Sequence, residues 1–207
     1  MWEGRVDGGL VNLPLSGTIN RIMKQILYIK NMVCDRCKST VLRELTVLGY
    51  DIKSVELGQI ILNENLDNQH SKLEEVLTKH GFEIMQDETE VLIEEIKIAL
   101  IIKIENQDNA KLSAFLAKRF NKSYSSLSKL FSNTEGATIE KYEINLKIEK
   151  VKELIQLGQL NFSEIAYSLN YNNSSHLARQ FKNVTGMSMT VFKSLQLWSR
   201  KSMDQIV

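Results

Sequence analysis

The sequence predicts an α+β unit of β-α-β-β-α-β order, followed by an all-α unit in which two helix-turn-helix pairs are joined by a long helix. Three observations predict it. Strand-like and helix-like apolar patterns alternate over residues 24–86. Beyond residue 106 strand signal is almost gone, and the chain's single proline lies far upstream at Pro14. The second half also contains an internal repeat. The chain has 207 residues, 43% hydrophobic and 25% charged, which excludes wholesale disorder.

The first 23 residues, with Glu3, Asp7 and three glycines before residue 10, read as a flexible tail. Gln25–Lys30 suits a strand covered on both sides. Val41, Leu42, Leu45 and Leu48 recur at helical spacing until Gly49 stops them. Ile52, Val55 and Leu57 suggest a second strand of imperfect spacing, Gly58-Gln59 a turn, and Ile60–Leu62 a third strand. His70, Leu73, Val76, Leu77 and His80 line a helix closed by Gly81, before a brief strand around Phe82–Met85. This order is that of a ferredoxin-like sandwich, with two helices on one face of a four-stranded antiparallel sheet.

Charge divides the chain. Residues 1–85 carry a net −1, residues 86–106 a net −4 and residues 107–207 a net +6. The acidic stretch 87–106 keeps helix periodicity through Leu92, Ile93, Ile96, Ala99, Leu100 and Lys103, and is read as the first helix of the C-terminal unit. The basic unit at 107–207 suits a polyanion partner. Within it Leu127, Leu130, Phe131, Gly136 and Tyr142 recur, at an offset of 50, as Leu177, Gln180, Phe181, Gly186 and Phe192. Leu116, Ala117 and Phe120 recur at 49 as Ile165, Ala166 and Leu169, so the intervening turn gains one residue.

The second copy is the sharper. Asn161 and Glu164 suit a reciprocal cap at a helix start, and Ile165, Ala166 and Leu169 form the inward stripe. Asn170–Asn173 supplies a turn, with Asn170 suited to a left-handed backbone, and Ser174 is expected to cap a second helix whose Leu177 and Phe181 point inward. The outward set Ser174, Ser175, His176, Arg179, Gln180, Lys182 and Asn183 contains no carboxylate. Arg179 can present a two-pronged donor to guanine, Gln180 can pair with adenine, and Lys182 suits a phosphate. In the first copy Ser125, Ser126, Ser128, Lys129 and Asn133 occupy the equivalent face, shorter side chains better suited to backbone anchoring. Ile139–Leu157 between the copies is about 28 Å long as a helix, enough to hold two reading helices about one DNA turn apart.

Residues 90–199, and above all Phe162–Lys193, resemble the AraC/XylS-type transcription regulators. The shared pattern is an Ile-Ala helix, an aromatic at the turn, Arg-x-Phe-Lys leaving the second helix, then a glycine and an aromatic followed by a basic residue. The resemblance implies double-stranded DNA as partner, with Ser174, Ser175, Arg179 and Gln180 on one reading helix and Ser125, Ser126 and Lys129 on the other. Met189 departs from the family's usual proline, leaving Ser188 to start the last helix as its cap.

Cys34 and Cys37, the only cysteines, form one Cys-x-x-Cys pair between a strand and a helix. Two thiolates, with the Met32 thioether nearby, could hold Cu(I), and thiolates also suit Zn(II). A helix N-terminus beside Arg36 favours the thiolate and so equally a redox role. Residues 25–86 resemble a heavy-metal-associated domain, whose Met-x-Cys-x-x-Cys loop falls on Met32, Cys34 and Cys37. Metal binding, redox response and a fold kept for packing all stay open; His70 and His80 read as ordinary surface or helix-end residues.

No phosphate loop, paired-histidine metal motif or nucleophile elbow occurs, so no enzyme is expected and no cofactor is required. No leader and no apolar run near 20 residues is seen, so the expectation is a cytoplasmic protein without a membrane partner. The alternative to a DNA-binding regulator is a metal carrier or adaptor whose helical half binds a protein. A signal crossing the acidic helix has two routes, a changed orientation of the halves or altered contacts in a homodimer.

Overall fold

The computed structural model describes residues 25–63 and 70–195. The expected tail at 1–23 lies outside the described residues. The N-terminal unit runs β1 (Gln25–Lys30), α1 (Asp35–Leu48), β2 (Ile52–Glu56), β3 (Gln59–Leu62), α2 (His70–Lys79) and β4 (Glu83–Met85). All strand pairs are antiparallel, in the order β2-β3-β1-β4. Alternation along β1 sends Leu27 and Ile29 to the helix-covered side, where they meet Val41 and Leu45 of α1 and Leu73 and Leu77 of α2. The imperfect spacing of β2 has a cause: its register with β3 shifts between Ile52 and Ser54, as at a bulge. Gly49, at φ +82, ends α1 by donating to the Leu45 and Thr46 carbonyls.

The helical unit runs α3 (Glu88–Glu105), α4 (Leu112–Phe120), α5 (Tyr124–Glu135), α6 (Ile139–Leu157), α7 (Phe162–Ser168), α8 (Ser174–Thr185) and α9 (Met189–Ser194). Against the expected one long helix stand two, because α3 has 18 residues and α6 has 19. The repeat explains this: α3-α4-α5 and α6-α7-α8 are two successive three-helix units. One continuous core joins Ile93, Ile96 and Leu100 of α3 to Leu127 and Phe131 of α5, to Tyr142, Leu146 and Val151 of α6, and on to Leu177, Phe181 and Phe192. Packing on both sides of the long helices holds the pairs in place.

The acidic helix α3 is more than a connection. Ile98, Ile101 and Ile104 are buried as well as the expected stripe, so the helix is covered over more of its circumference than one stripe requires. The β2–β3 turn presses directly on it: a Cβ at Gly58, which has φ +70, would stand 2.2 Å from Ile98 Cδ1. Val33, from the loop after β1, is buried in the helical core. A cleft of about 620 Å³ remains along this seam, lined by Tyr28, Gln59 and Met85 on the sheet and by Glu95, Ile98 and Arg119 on the helices. No described helix is long and apolar enough to cross a membrane.

Candidate nucleic-acid interface and dithiol loop

Local chemistry sets the second helix pair. Asn161 Oδ1 accepts from the Ser163 and Glu164 amides at 2.9 and 3.0 Å, and Glu164 Oε2 accepts from the Asn161 amide at 2.7 Å. This is the reciprocal cap expected from the sequence. Ala166 is fully buried, leaving room for α8 to cross closely. Asn170 takes the left-handed backbone at φ +63, as Asn121 does in the first pair at φ +49. The cap of α8 is Asn173, whose Oδ1 accepts from the His176 amide at 2.8 Å, so Ser174 is the first helical residue and not the cap. An asparagine one position earlier satisfies the orphan donor equally well. In the first pair α5 begins at Tyr124, where Ser123 Oγ caps the Ser126 amide at 3.2 Å.

The candidate reading residues divide by exposure. Ser125, Ser126 and Lys129 on α5 are exposed, as are Ser175, His176, Arg179 and Lys182 on α8, while Ser174 is half-buried. Gln180 departs from its expected outward position. It is half-buried, and its Oε1 accepts a hydrogen bond from the Tyr171 hydroxyl. Position 180 corresponds to the core-facing Leu130 of the first copy, so periodicity carries it toward the protein. Burial, and then the negative charge of Glu143, push the Tyr171 phenol well above its ordinary range, which keeps it a donor.

Tyr171 is the residue the sequence reading underrated. Only 7% exposed, it holds Gln180, receives the His176 ring edge-on at 5.5 Å between centroids, and lies under the Lys147 ammonium at 5.7 Å. It therefore fixes the start of α8 against α6. The sequence signal was the aromatic at the turn, read only as part of a pattern. The first pair uses a different brace: the Tyr124 hydroxyl donates to Glu140 at the start of α6. Ser188 Oγ caps α9 through the Val191 amide at 3.2 Å, as expected, while Met189 buries its side chain in the core.

The loop after β1 places Cys34 at the N-cap of α1 with Cys37 one turn in, their Sγ atoms 3.2 Å apart and both half-buried. Burial first, and hydrogen bonding with Cys34 second, push the Cys37 thiol up, opposite to the lowering expected at a helix start. Met32 is fully buried in the core of the N-terminal unit, against which Cys37 also packs. Among the described residues no group of three or more His, Cys, Asp or Glu side chains converges. His80 lies at the end of α2 with Nε2 3.4 Å from Glu44 Oε1, a helix-end position as expected; the His70 side chain is outside the described set.

Residues 116–194, from within α4 to the end of α9, match a family model described as a helix-turn-helix domain. The chain is 22% identical over 175 residues to the Msm operon regulatory protein of Streptococcus mutans, an alignment covering 83% of this chain. The chain spans 62% of that relative's length. Among solved structures, similarity extends to the C-terminal domain of AraT, a response regulator from Geobacillus stearothermophilus, at 19% identity and a TM-score of 0.47. That match covers 54% of this chain and 90% of the other. A DNA-binding transcriptional dual regulator from Escherichia coli K-12 matches at 18% identity and a TM-score of 0.44, over 54% of this chain and 95% of the other. Residues 116–194 of the helical half thus carry a helix-turn-helix domain.

Proposed function

We propose that the chain is a sequence-specific DNA-binding transcription regulator of the AraC/XylS type, with an N-terminal dithiol unit that makes it responsive to a soft metal ion or to thiol redox state. The observation that carries this reading lies within the matched segment. Two helices of the same build, α5 and α8, expose hydroxyl, amide and cationic side chains with no carboxylate from Ser123 to Asn133 or from Asn173 to Val184. A phosphate-lined groove repels carboxylates, so their absence from these two stretches favours DNA over an incidental solvated face. On α8, Arg179 reads a base edge and Lys182 holds a phosphate; on α5, Ser125, Ser126 and Lys129 anchor the backbone. Its operon-regulating relative in Streptococcus mutans agrees with this role.

The dithiol supports the second half of the reading. Cys34 and Cys37 are the residues that would hold a metal, and two thiolates suit a soft monovalent ion such as Cu(I). Zn(II) in a structural site takes four ligands, and the described residues bring no third to the pair. Selection of bound sequences from random duplexes tests the proposal. A regulator yields an enriched motif with steep salt dependence, which Arg179→Ala relaxes and Lys182→Ala leaves intact while weakening all duplexes alike. A metal-carrying adaptor yields metal stoichiometry that Cys34→Ser and Cys37→Ser abolish, with no enriched motif.

A further inference from the structure

Asn31, in the turn after β1, is held from three directions. Its side-chain Nδ2 donates to the Gly81 carbonyl at 3.0 Å, its carbonyl accepts from Cys37 Sγ at 3.8 Å, and its amide donates to Glu94 Oε1 at 3.0 Å. It does this at φ +67, a left-handed backbone tolerated by few residues other than glycine. Glu94, on α3, is only 4% exposed, an unusual place for a carboxylate. It is balanced by Lys97 at 3.8 Å, which also pairs with Glu135 at 2.9 Å. Glu135 is the last residue of α5. A carboxylate is unfavourable at a helix C-terminus, so Lys97 is what lets this one stay. One continuous set of polar contacts therefore runs from the Cys37 thiol to the end of the first reading helix.

Resting on the regulator reading above, we propose that Cys34 and Cys37 are a reversible oxidation site for low-molecular-weight disulfides, and that the Asn31–Glu94–Lys97–Glu135 contacts carry its state to α5. The chemistry is a pair of exchanges. Cys34, deprotonated, attacks one sulfur of the small disulfide, forming a mixed disulfide and expelling one small thiolate. Cys37 then loses its proton, attacks the Cys34 sulfur and expels the second. The protein dithiol is oxidised by two electrons and the small disulfide is reduced to two thiols. Cys34 goes first because it stands at the N-cap of α1, while the Cys37 Sγ is engaged with the Asn31 carbonyl. The sulfurs start 3.2 Å apart and need about 2.05 Å. The bonded Cys37 sulfur has no proton left for the Asn31 carbonyl, so oxidation removes one of the three contacts that hold the turn whose amide reaches Glu94.

The test uses the full chain, reduced or treated with glutathione disulfide. Readouts are thiol titration, amide hydrogen exchange over residues 132–135, and affinity for the duplex obtained by selection. Expected are loss of both thiols without a retained mixed disulfide, several-fold faster exchange at the end of α5, and about fivefold or greater weakening on DNA. Glu135→Gln, at a helix end outside the reading face, should still form the disulfide but lose both downstream responses; Cys37→Ser should show neither. Thiols that stay titratable, unchanged exchange after full oxidation, or an undiminished response in Glu135→Gln each overturn the proposal. If exchange responds while no duplex is bound in either state, the regulator reading falls and the relay stands.

Discussion

The two helix pairs share a frame and differ in what they do with it. Leu127 and Phe131 are buried as Leu177 and Phe181 are, and Gly136 and Gly186 close α5 and α8 in the same left-handed conformation. Yet α7 begins with a reciprocal Asn161–Glu164 cap, whereas α4 has Lys111 at its N-cap with no side-chain cap bond. The α8 start is braced by Tyr171, through an amide and an imidazole, while α5 leans on α6 through Tyr124 and Glu140. The end of α5 pairs through Glu135 with Lys97 of α3, the helix whose Glu94 meets the N-terminal unit at Asn31. The lesson is that one duplicated frame is braced in two ways: α8 is held by a buried tyrosine from the turn before it, and α5 is tied at its two ends to the long helices α6 and α3.

That comparison can be broken at several points. Phe131→Ala and Phe181→Ala each delete a fully buried ring and should cost about 3–5 kcal/mol. Because one core spans both pairs, urea unfolding should stay a single transition in either variant, and two transitions would show independent pairs. Arg179→Ala should lose about 1–3 kcal/mol of discrimination at one base step, while Lys129→Ala lowers affinity for all duplexes alike; competition binding against substituted duplexes separates the two.

Smaller effects sharpen the contrast. Asn161→Ala removes the cap of α7 and should cost about 1 kcal/mol by thermal melting, whereas Lys111→Ala should stay within about 0.5 kcal/mol. Glu94 gives the mildest and most specific signature. Burial raises its carboxyl pKa above the ordinary value, so between the two values the folded state binds more protons than the unfolded one. Its contribution therefore improves as pH falls through the raised pKa toward 4.5. The stability of the parent relative to Glu94→Gln should rise on acidification over that window, and melting curves on both proteins check the sign.

Much of the fold was legible because its signals are local. The bounds of β1 and α6, the Asn161 cap and the left-handed Asn170 follow from neighbours within a few residues. Where equivalent local solutions compete, the reading slipped by one residue, as at Asn173 against Ser174. Gln180 was misplaced because its polarity was read over its place in the repeat opposite Leu130; the buried Tyr171 hydroxyl gives the inward-turned amide its partner. The dithiol was found from its spacing, but its burial and the elevation of Cys37 come from packing.

By itself the sequence determined the succession of elements, the duplication, the caps and which residues carry donors. Each is a matter of periodicity or of groups a few bonds apart along the backbone. Tertiary structure alone decided which faces of α3 are covered beyond its expected stripe, that a carboxylate is buried on it, and that the turn beside the thiols answers that carboxylate across 63 residues. The reason is physical: a buried charge is tolerated only through partners that neutralise it, and chain separation says nothing of which groups folding will bring within 3 Å.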